Sequence, residues 1–585
     1  MRSSFSGLNT MVKGIYQNQL SLETVGHNIT NANTEGYSRQ RVNIAATEPL
    51  KDYGMNGGIR IGTGADTASL TRARDVFADR QYWREEATQT YANTRQKNYD
   101  KLENIFNDSD NNSTLAALTK FFKAWQTAGT YASDSSSRVA VIEQGKQFAD
   151  QLRSSAEDLQ NQITSLYRDM QDQVDKVNQI TDQIVDLNRR IALSEADGSM
   201  ANDLRDKRDL LTDELSGYMS LQVYEMPNGM SQIVTNGASI VNGVAKLTVA
   251  MDGPVNNKAH GVSDYSLIIK ETNTAFLPGS GTLQGVVDSI AEDKSYIDQL
   301  ARMGAFMLTN LNDMHRTGAG IDPAATTDLN FYGETGKYYY WDEKTNTLIA
   351  ADTTKTTAGG PPPAAVTTTK TVGATQEMLK GIQILEALTV NRELTARDGE
   401  KKLALRGYGD NSAAKNSAAS NVTIVVNSKN EPVITGGTVT HTFSDLNGTA
   451  DNSVGVRIAA LFNMTQENVS YANMTYNLTR TDNLGTTTAT DITRPIATIS
   501  LNNFYNTTIT ELGIQAETVD NQVKFQENVM TQISNWRQST AGVNWNEELS
   551  NMIKFQQGYQ ACARCLTTMD EMLDRLVNST GMVGR

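Results

Sequence analysis

QLRSSAEDLQNQITSLYRDMQDQVDKVNQITDQIVDLNRRI, residues 151–191, is the stretch that decides the fold. Its apolar side chains recur every three, four or seven residues, at Leu152, Leu159, Ile163, Leu166, Met170, Val177, Ile180, Ile184, Leu187 and Ile191. This is the heptad spacing of helices that pack along their length. Because residues 146–191 contain neither proline nor glycine, the pattern predicts one helix of about 50 residues, roughly 75 Å long. A compact enzyme rarely needs such a helix, so the sequence points to a rod.

Both chain ends repeat this spacing. The N-terminal pattern runs through Phe5, Leu8, Val12, Ile15, Gln19, Leu22, Gly26 and Ile29, and its weak positions, Gln19 and Gly26, predict a helix that is marginal alone. The C-terminal pattern runs through Met552, Phe555, Tyr559, Cys562, Leu566, Met569, Leu573 and Leu576. Two seams of equal length favour pairing of the ends. Spacing alone leaves open that each is an ordinary amphipathic helix on a separate core.

A polar segment, HNITNANTEGYSRQ (residues 27–40), follows the N-terminal pattern. Asn31, Asn33 and Gly36 tolerate left-handed backbone conformations, so this segment is predicted to turn the chain out of the first helix. A second polar segment, NDLRDKRDLLTDEL (residues 202–215), predicts a charged amphipathic helix. We interpret its charges as a solvated face with i,i+4 pairs such as Asp203 with Lys207.

The middle of the chain has a different residue pattern. Short β-branched runs separated by Asn-Gly and Asp-Gly turns predict strands within residues 221–269. Helical spacing returns at 283–315, and YYYWDEKTNTLIAAD (residues 338–352) predicts a hairpin. The threonine-, glycine- and proline-rich residues 353–373 are interpreted as a low-complexity linker or loop.

More strands are predicted near 422–426 and 438–443, and helices return after about 452, interrupted by a threonine-rich, strand-like stretch at 475–500. The predicted fold is therefore multidomain α+β, with a long α-helical, coiled-coil-like core formed by both chain ends and with β-rich inserted outer domains. The predicted domains are a terminal helical domain (1–60 with 541–585), a rod-like helical domain (61–215 with 283–320 and 452–540), a β-rich insertion (216–282) and a second β-rich insertion (321–451).

Length and charge narrow the function classes. The 585 residues suffice for about three to five domains. The net charge of −14 argues against a nucleic-acid partner, which needs a clustered basic face. No run approaches the ~20 apolar residues of a membrane span, and the N-terminus lacks the apolar block of a cleavable secretory signal. We therefore expect a cytoplasmic protein, or one exported by a route that does not read such a signal.

Chemical motifs are scarce. The sequence contains no HExxH, GxSxG, P-loop or helix-opening GxGxxG, so we expect no catalytic residues, no cofactor and no metal site. Cys562 and Cys565 form a CxxC pair inside a helical pattern, and zinc would need two more ligands. We interpret them as packing residues. Packing and capping also explain His315 at a helix end, and the pair Glu547-Glu548 is interpreted as solvated.

Several blocks resemble one known family. Asn28-Ile29-Thr30-Asn31-Ala32-Asn33-Thr34-Glu35-Gly36 is similar to the Asn-Ile-Ala-Asn-Ala-Asn-Thr-x-Gly segment of bacterial flagellar axial proteins, with a departure at Thr30. The ending Tyr37-Ser38-Arg39-Gln40 resembles the hook-associated protein 1 family in particular. Further similar blocks, in the family's order, are NDLRDKRDLL (202–211), LQGVVD (283–288), NDMHRTG (312–318), DNS (451–453), GVNWNEEL (542–549) and YQACAR (559–564). Cys562 stands where the family usually has serine.

The resemblance implies a structural protein that forms the junction between flagellar hook and filament. It would be exported unfolded by the flagellar type III apparatus, with an export chaperone and the export gate as partners. It would then polymerise at the hook tip as a ring-like layer, between the hook protein and the second junction protein. The implied location is extracellular, on the flagellum.

The terminal seams, together with Asn31, Asn33, Gly36, Tyr37 and Arg39, would then form the assembly interface. The apolar seam residues of the two ends would pack on one another and on neighbouring subunits. Two alternatives from other classes are an enzyme hidden in the insertions and a phage tail or surface adhesin module. The Asn-rich motif with its YSRQ ending argues against the second.

Overall fold

The computed structural model describes residues 6–52, 59–106, 113–359, 366–407, 416–426, 432–443, 447–464, 474–481, 487–491, 495–496 and 499–579. Its α-helices are α1 (Ser6–Thr30), α2 (Val76–Ile105), α3 (Thr114–Thr130), α4 (Ser135–Ser194), α5 (Asn202–Ser216), α6 (Gly281–Phe306), α7 (Asn312–Arg316), α8 (Ile382–Ala387), α9 (Arg392–Thr395), α10 (Ser453–Ala460), α11 (Leu501–Ala541) and α12 (Trp545–Ser579). A π-helical stretch, Met307–Leu311, joins α6 to α7, and a 3₁₀ turn, Gly399–Lys402, follows α9.

The strands are β1 (Gln40–Ala46), β2 (Leu50–Asp52), β3 (Ile59–Ile61), β4 (Ala65–Arg72), β5 (Gln222–Glu225), β6 (Ser231–Thr235), β7 (Ala238–Asn242), β8 (Ala245–Lys246), β9 (Val249–Asn257), β10 (Val262–Ile269), β11 (Thr274–Ala275), β12 (Lys337–Asp342), β13 (Thr347–Gly359), β14 (Val366–Leu379), β15 (Asn416–Val426), β16 (Pro432–Phe443), β17 (Met474–Thr481) and β18 (Thr487–Asp491).

A helical rod forms the body of the molecule, and α4 is its longest element. The predicted long helix is confirmed and is longer than expected, at 60 residues. It begins where the Asp134 carboxylate accepts a hydrogen bond from the Ser137 amide, 3.0 Å away. The ten apolar residues that define the heptad pattern of the opening stretch are all buried. They pack α4 into a bundle with α2 and α6, and α11 lies along α2.

The two chain ends pair, since α1 packs along α12. A coiled-coil-like core built from both ends, with β-rich parts inserted between them, is therefore confirmed. A hairpin of β1 and β4 also packs against α1.

The β-rich parts form separate sheets. Residues 222–246 build a four-stranded sheet in the order β5-β6-β7-β8, and residues 249–275 a three-stranded one in the order β11-β10-β9. A seven-stranded sheet has the order β12-β13-β14-β16-β15-β17-β18, so it draws its last two strands from beyond residue 451. The predicted hairpin at 338–352 is confirmed by the pairing of β12 with β13. The division into domains itself stays a prediction.

The interpretation of residues 353–373 as a linker is wrong. Thr353–Gly359 pair with Val366–Val372 in the β13–β14 ladder. Threonine is β-branched and favours extended backbone, which explains why a low-complexity, threonine-rich stretch forms strands here. Residues 360–365, with the three prolines, lie outside the described residues.

Candidate functional site

Five stretches of the sequence meet where the terminal helices join the rod. They are the polar segment 27–40, residues 72–79 at the start of α2, helix α5, the end of α11 and the start of α12. We call this region the junction and define it by Asn28, Tyr37, Ser38, Arg39, Gln40, Arg72, Arg74, Asp79, Asp203, Asp206, Asp209, Asp213, Arg537, Glu547 and Glu548.

Asn28 is the centre of the junction. Its side-chain oxygen accepts hydrogen bonds from the Tyr37 hydroxyl (2.8 Å) and the Gln40 amide (2.9 Å). Its Nδ2 donates to the Gln40 carbonyl (3.0 Å) and to Glu548 Oε2 (3.1 Å). The side chain is only 1% exposed and uses all four of its hydrogen-bonding positions. It therefore fixes the end of α1, the turn and the start of α12 relative to one another.

Arg39 joins the turn to α12. Its Nη2 lies 2.7 Å from Glu547 Oε1, and its Nε lies 2.8 Å from Glu548 Oε1. Its amide also donates to the Ala541 carbonyl at 2.9 Å. Glu548 is 1% exposed, so the interpretation of the Glu547-Glu548 pair as solvated is wrong for Glu548. The carboxylate is buried because Arg39 and Asn28 are there to pair with it.

Ser38 and Gln40 join the same turn to α5. The Ser38 amide donates to Asp206 Oδ2 at 3.0 Å. Gln40 Nε2 donates to Asp203 Oδ1 at 2.8 Å. The YSRQ ending thus binds three different helices, and it does so within one chain.

The remaining residues of the turn play simpler parts. Asn31 Nδ2 donates to the His27 carbonyl at 3.0 Å and caps the end of α1. Gly36 has a φ of +75°, and a Cβ there would lie 3.0 Å from Leu210 Cβ on α5. Asn33 is exposed.

A buried network of charges fixes α5 to the start of α2. Arg72 Nη1 lies 2.7 Å from Asp206 Oδ1 and 2.8 Å from Asp209 Oδ2. Arg74 Nη1 lies 3.0 Å from Asp209 Oδ2, and its Nη2 lies 2.9 Å from Asp79 Oδ1. The interpretation of the α5 charges as a solvated face is therefore wrong for Asp206 and Asp209, whereas Asp203 and Lys207 are exposed. Asp206 and Asp209 point inward because arginines from the chain before α2 face them.

Arg537 extends this network to α11. Its Nε lies 3.0 Å from Asp79 Oδ1, and its Nη2 lies 2.8 Å from Asp213 Oδ2. The guanidinium carbon lies 4.1 Å from the centre of the Tyr82 ring, a cation–π contact. Trp83 Nε1 donates to Asp213 Oδ1 at 2.6 Å. Helices α2, α5 and α11 are thereby locked together by ion pairs.

Burial and charge oppose each other in this network. Burial alone would raise the pKa of Asp209, but Arg74, Arg72 and Arg208 together hold that pKa below its usual value. Burial raises the pKa of Asp213, and Arg537 offsets only part of that effect. Removing any one of these arginines would leave a buried carboxylate with fewer partners to offset the cost of its burial.

The α1–α12 contact uses small and polar residues of α1. Facing pairs are Gly7 with Met569, Gly14 with Cys562, Asn18 with Gly558 and Asn28 with Glu548. Equal steps in opposite directions separate these pairs, so the helices are antiparallel in one register. A Cβ on Gly14 would lie 2.9 Å from Cys562 Sγ, and one on Gly558 would lie 2.5 Å from Asn18 Oδ1. The two backbones approach closely because glycine occupies these positions.

The apolar seam predicted on α1 lies beside this contact face. Leu8, Val12, Ile15, Leu22 and Ile29 are each partly exposed, because at 100° per residue they point to one flank of the contact. The hairpin covers the opposite flank, where Lys13 Nζ lies 3.6 Å from Asp66 Oδ2. Phe5 lies outside the described residues. The apolar flank of α1 is thus left without a full partner among the described residues.

The predicted C-terminal seam has a similar exposure. Met552, Phe555, Cys562, Leu566, Met569 and Leu573 are partly buried and Tyr559 is 39% exposed. The backbone of Leu576 continues α12, but its side chain lies outside the described residues. Nearby, Trp545, Leu549 and Ile553 expose about half of their surface, at 48, 47 and 57%. That these seams form an assembly interface stays a prediction.

A second polar cluster holds the distal part of the rod. His315 is fully buried, with Nδ1 2.7 Å from the Leu329 carbonyl and Nε2 3.0 Å from the Ala404 amide. The carbonyl requires a proton on Nδ1 and the amide requires a lone pair on Nε2, so the ring is neutral. Burial lowers the pKa of His315 to about 4.

Within the described ranges, no three histidine, cysteine, aspartate or glutamate side chains are grouped as metal ligands. Cys562 lies inside α12 against Gly14, and Cys565 is exposed one helical turn later. None of the helices, as far as the structure describes them, is long and apolar enough to cross a membrane.

Sequence reasoning missed the charged part of the junction. Asp206, Asp209 and Asp213 are spaced three and four residues apart, which puts them on one face of α5. Arg72 and Arg74 flank Ala73 just before α2. An acidic face and an arginine pair are a recognisable signal, but only the fold brings them together.

Comparisons with known proteins agree with this architecture. Residues 99–331 match the family model described as "Flagellar hook-associated protein FlgK helical domain". Residues 537–579 match "Flagellar basal body rod FlgEFG protein C-terminal".

Curated relatives align over nearly the whole chain. Flagellar hook-associated protein 1 of Bacillus subtilis (strain 168) is 25% identical over 594 residues, covering 100% of both chains. The protein of that name from Salmonella typhimurium is 24% identical over 609 residues, covering 98% of this chain and 99% of the relative. The solved structure of "the flagellar hook junction protein FlgK from Burkholderia pseudomallei" has a similar fold, with a TM-score of 0.52 and 16% identity. The match covers 79% of this chain and 100% of that one.

Proposed function

Because the chain belongs to the flagellar hook-associated protein 1 family and is a structural component of the bacterial flagellum rather than an enzyme, we propose that it forms the junction between hook and filament. The relatives carry the name hook-associated protein 1, and the similar solved structure is titled a hook junction protein. The long helical rod supports this proposal, since it suits a building block better than a catalyst. The location we propose is the flagellum outside the cell, at the hook–filament junction.

The proposed mechanism is polymerisation through the terminal helices. The observation that carries it is that α1 uses one face to contact α12 and presents a different, apolar face beside it. Its contact with α12 runs along Gly7, Gly14, Asn18 and Asn28, which leaves the apolar flank partly exposed. An apolar stripe that the chain itself does not cover is typical of a protein–protein interface.

The energy available for assembly comes from the part of the apolar flank that is still exposed. A large apolar side chain contributes about 1.5–3 kcal/mol when it is fully buried from water. The flank of α1 offers Leu8, Val12, Ile15, Leu22 and Ile29, and α12 adds Met552, Tyr559 and Leu566. Because these side chains are already partly buried, completing their burial in a ring of subunits would add only a fraction of that energy for each residue, about a few kcal/mol per subunit before ordering costs.

Several partners follow from this proposal. The chain would bind copies of itself in a ring-like layer, the hook protein on one side and the second hook–filament junction protein on the other. Before assembly it would pass through the flagellar type III apparatus, with an export chaperone and the export gate as transient partners. The terminal helices bury few residues within the chain, which supports export before folding. Segments of this kind become ordered when neighbouring subunits cover them, because that burial offsets the entropy cost of ordering.

The junction would hold the terminal pair at a fixed angle to the rod. Tyr37 and Arg39 were predicted as interface residues, yet they hydrogen-bond within the chain. We infer that they serve assembly by positioning α1 and α12. Asn33 is exposed, as are Thr34 and Glu35 beside it, so this part of the turn could contact a neighbouring subunit.

The test is a pair of charge substitutions on two faces of α1. Ile15→Asp with Leu22→Asp changes the apolar flank, and Tyr16→Asp changes a side chain that is 68% exposed on another face. We expect the flank variant to be secreted into the medium but not retained on hooks, so that cells carry hooks without filaments. Tyr16→Asp should still give filaments. Normal filaments in the flank variant, with its protein present on the hooks, would refute the proposed interface.

The C-terminal seam provides an independent version of this test. Leu566→Asp with Leu573→Asp should also leave hooks without filaments. Electron microscopy of cells and immunoblots of the medium distinguish a failure of assembly from a failure of export.

A further inference from the structure

A buried polar layer crosses the rod at the level of Asp293. Gln162 Nε2 on α4 donates to Asn98 Oδ1 on α2 at 2.6 Å. Asn98 Nδ2 in turn donates to Asp293 Oδ1 on α6 at 2.9 Å. Three helices are therefore connected by one chain of side-chain hydrogen bonds that ends on a carboxyl group.

The layer lies in the bundle core and is incompletely satisfied. Asp293 is 0% exposed, and its Oδ2 has no hydrogen-bond partner within the described residues. Ser289, one helical turn earlier on α6, is equally buried, and its hydroxyl also lacks a partner there. Buried polar groups left unpaired cost stability. A layer that only fixed helix register would gain from having every group paired.

Few charges reach Asp293 from the surrounding helices. On α6, Glu292 is its neighbour in sequence, and on α2, Lys101 is the nearby cation. Arg95 on α2 is engaged by Glu292. Tyr99 on α2 donates to Gln515 on α11 at 2.8 Å. Tyr296 on α6, with Glu511 on α11 beyond it, completes the set of ionisable groups. On α4 the layer meets the neutral Gln162.

We propose that Asp293 is a proton-binding switch in the rod, and that the bundle formed by α2, α4 and α6 is tighter when this carboxyl is protonated. The neutral carboxyl supplies a hydrogen-bond donor, which the unpaired Oδ2 lacks in the ionised form. The ionised carboxylate is held by the neutral amides of Asn98 and Gln162 and by no cation in direct contact among the described residues. This proposal is independent of the assembly interface on the terminal helices.

The pKa of Asp293 is shifted in the direction that this proposal requires. Burial first, and then the charge of Glu292, raise the pKa of Asp293 to about 7 from its ordinary value of 3.8. The folded state therefore binds the proton more tightly than the unfolded state. Stability linked to this group is present at low pH, falls as pH rises from 3.8 towards 7, and is then constant. Between pH 5.5 and pH 8.5 the folding equilibrium constant should fall about thirtyfold through this group alone.

The experiment compares the full chain with Asp293→Asn and with a control, Asp172→Asn, on the exposed face of α4. Urea unfolding of each protein is followed at pH 5.5, 7.0 and 8.5. The Asp293→Asn variant should lose the roughly thirtyfold pH-dependent part of the folding equilibrium constant. Its stability relative to that of the wild type should therefore increase as pH rises. The control should follow the wild-type curve at every pH. Parallel curves for wild type and Asp293→Asn would overturn the proposal.

Infrared difference spectroscopy gives a second readout that does not depend on unfolding. The wild-type protein should show the carbonyl band of a protonated carboxyl at pH 5.5 that disappears by pH 8.5. Because burial also raises the pKa of Asp213, the readout is the difference between the two proteins, and the band should be weaker in Asp293→Asn. A spectrum without that band at pH 5.5 in the wild type, or a band of equal intensity in Asp293→Asn, would also overturn the proposal.

Discussion

The rod and the terminal helix pair differ in how much of themselves they bury. In α4, 24 of 60 residues are buried. In α1, the buried residues among those described are Ser21, Thr24, Val25 and Asn28. In residues 545–575 of α12, Glu548 alone is buried.

This difference teaches where the folding energy of the chain lies. Apolar burial along α2, α4 and α6 stabilises the rod within one chain. The terminal pair rests on close backbone approach at glycines and on polar bonds at the junction, and part of its apolar surface stays exposed. The rod is complete within one chain, and we propose that the terminal pair is completed by neighbours.

The largest effect should come from breaking the junction. Asp209→Ala removes the carboxylate that Arg72 and Arg74 share, which leaves buried guanidinium groups with fewer partners. We expect a loss of about 3–5 kcal/mol in the free energy of unfolding. Asp203→Ala is the control, since that side chain is 61% exposed and its loss should cost under about 1 kcal/mol. Urea unfolding, followed by tryptophan fluorescence, measures both; similar losses would contradict the buried network.

Truncating one leucine in the rod and one in the terminal pair compares directly how much each region contributes to the stability of the monomer. Leu159→Ala opens a cavity in the rod and should lower the unfolding free energy of the monomer by about 2–5 kcal/mol. Leu22→Ala, on the flank of α1, should lower it by less than about 1 kcal/mol, because its side chain is already partly exposed. Chemical denaturation of the monomer checks both. A loss for Leu22→Ala as large as that for Leu159→Ala would mean that the terminal pair is folded by the same forces as the rod.

Acid should weaken the distal rod through His315. The pKa of this histidine is lowered from 6.5 to about 4 in the folded chain, so the unfolded state binds the proton first. The stability is complete above pH 6.5 and falls by about 3 kcal/mol as the pH drops towards 4. His315→Gln should lack this part of the pH dependence. An unfolding curve for His315→Gln with the same pH dependence as the wild type would contradict the neutral, buried ring.

The smallest effect is expected at two glycines of α1. At Gly26 a Cβ would meet nothing within 4 Å, whereas at Gly14 it would lie 2.9 Å from Cys562 Sγ. Gly26→Ala should stabilise α1 by up to about 1 kcal/mol through helix propensity. Gly14→Ala should stabilise α1 by less, or destabilise it, because the added Cβ would force α12 to move away. Hydrogen exchange of α1 amides in the assembled state measures the difference, and equal gains would contradict the close approach.

Much of the fold could be predicted from the sequence, since periodicity reports local structure directly. The α4 pattern and the two terminal helices follow from the spacing of apolar residues, and the β-rich insertions follow from β-branched runs between turns. The spacing favours pairing of the two ends but leaves it open. Residues 353–373 were misread because composition was weighed above the β preference of threonine. The pattern on α1 gave a helix but the wrong contact face, since glycines that permit close approach carry no apolar signal.

The junction could be predicted only in part. The segment 27–40 stood out by resemblance, but its partners on α5 and α12 are more than 160 residues away in sequence. A charged stretch such as 202–215 is usually solvated. Its burial depends on arginines that only the folded chain brings into contact with it.

The central claim is that the terminal pair is completed by assembly, whereas the rod is complete alone. Hydrogen exchange measured by mass spectrometry on the secreted monomer and on isolated hook-junction assemblies tests it directly. We predict that amides of α1 and α12 exchange rapidly in the monomer and slowly in the assembly, while amides of α4 exchange slowly in both. Slow exchange of α1 and α12 in the monomer, equal to that of α4, would contradict the account.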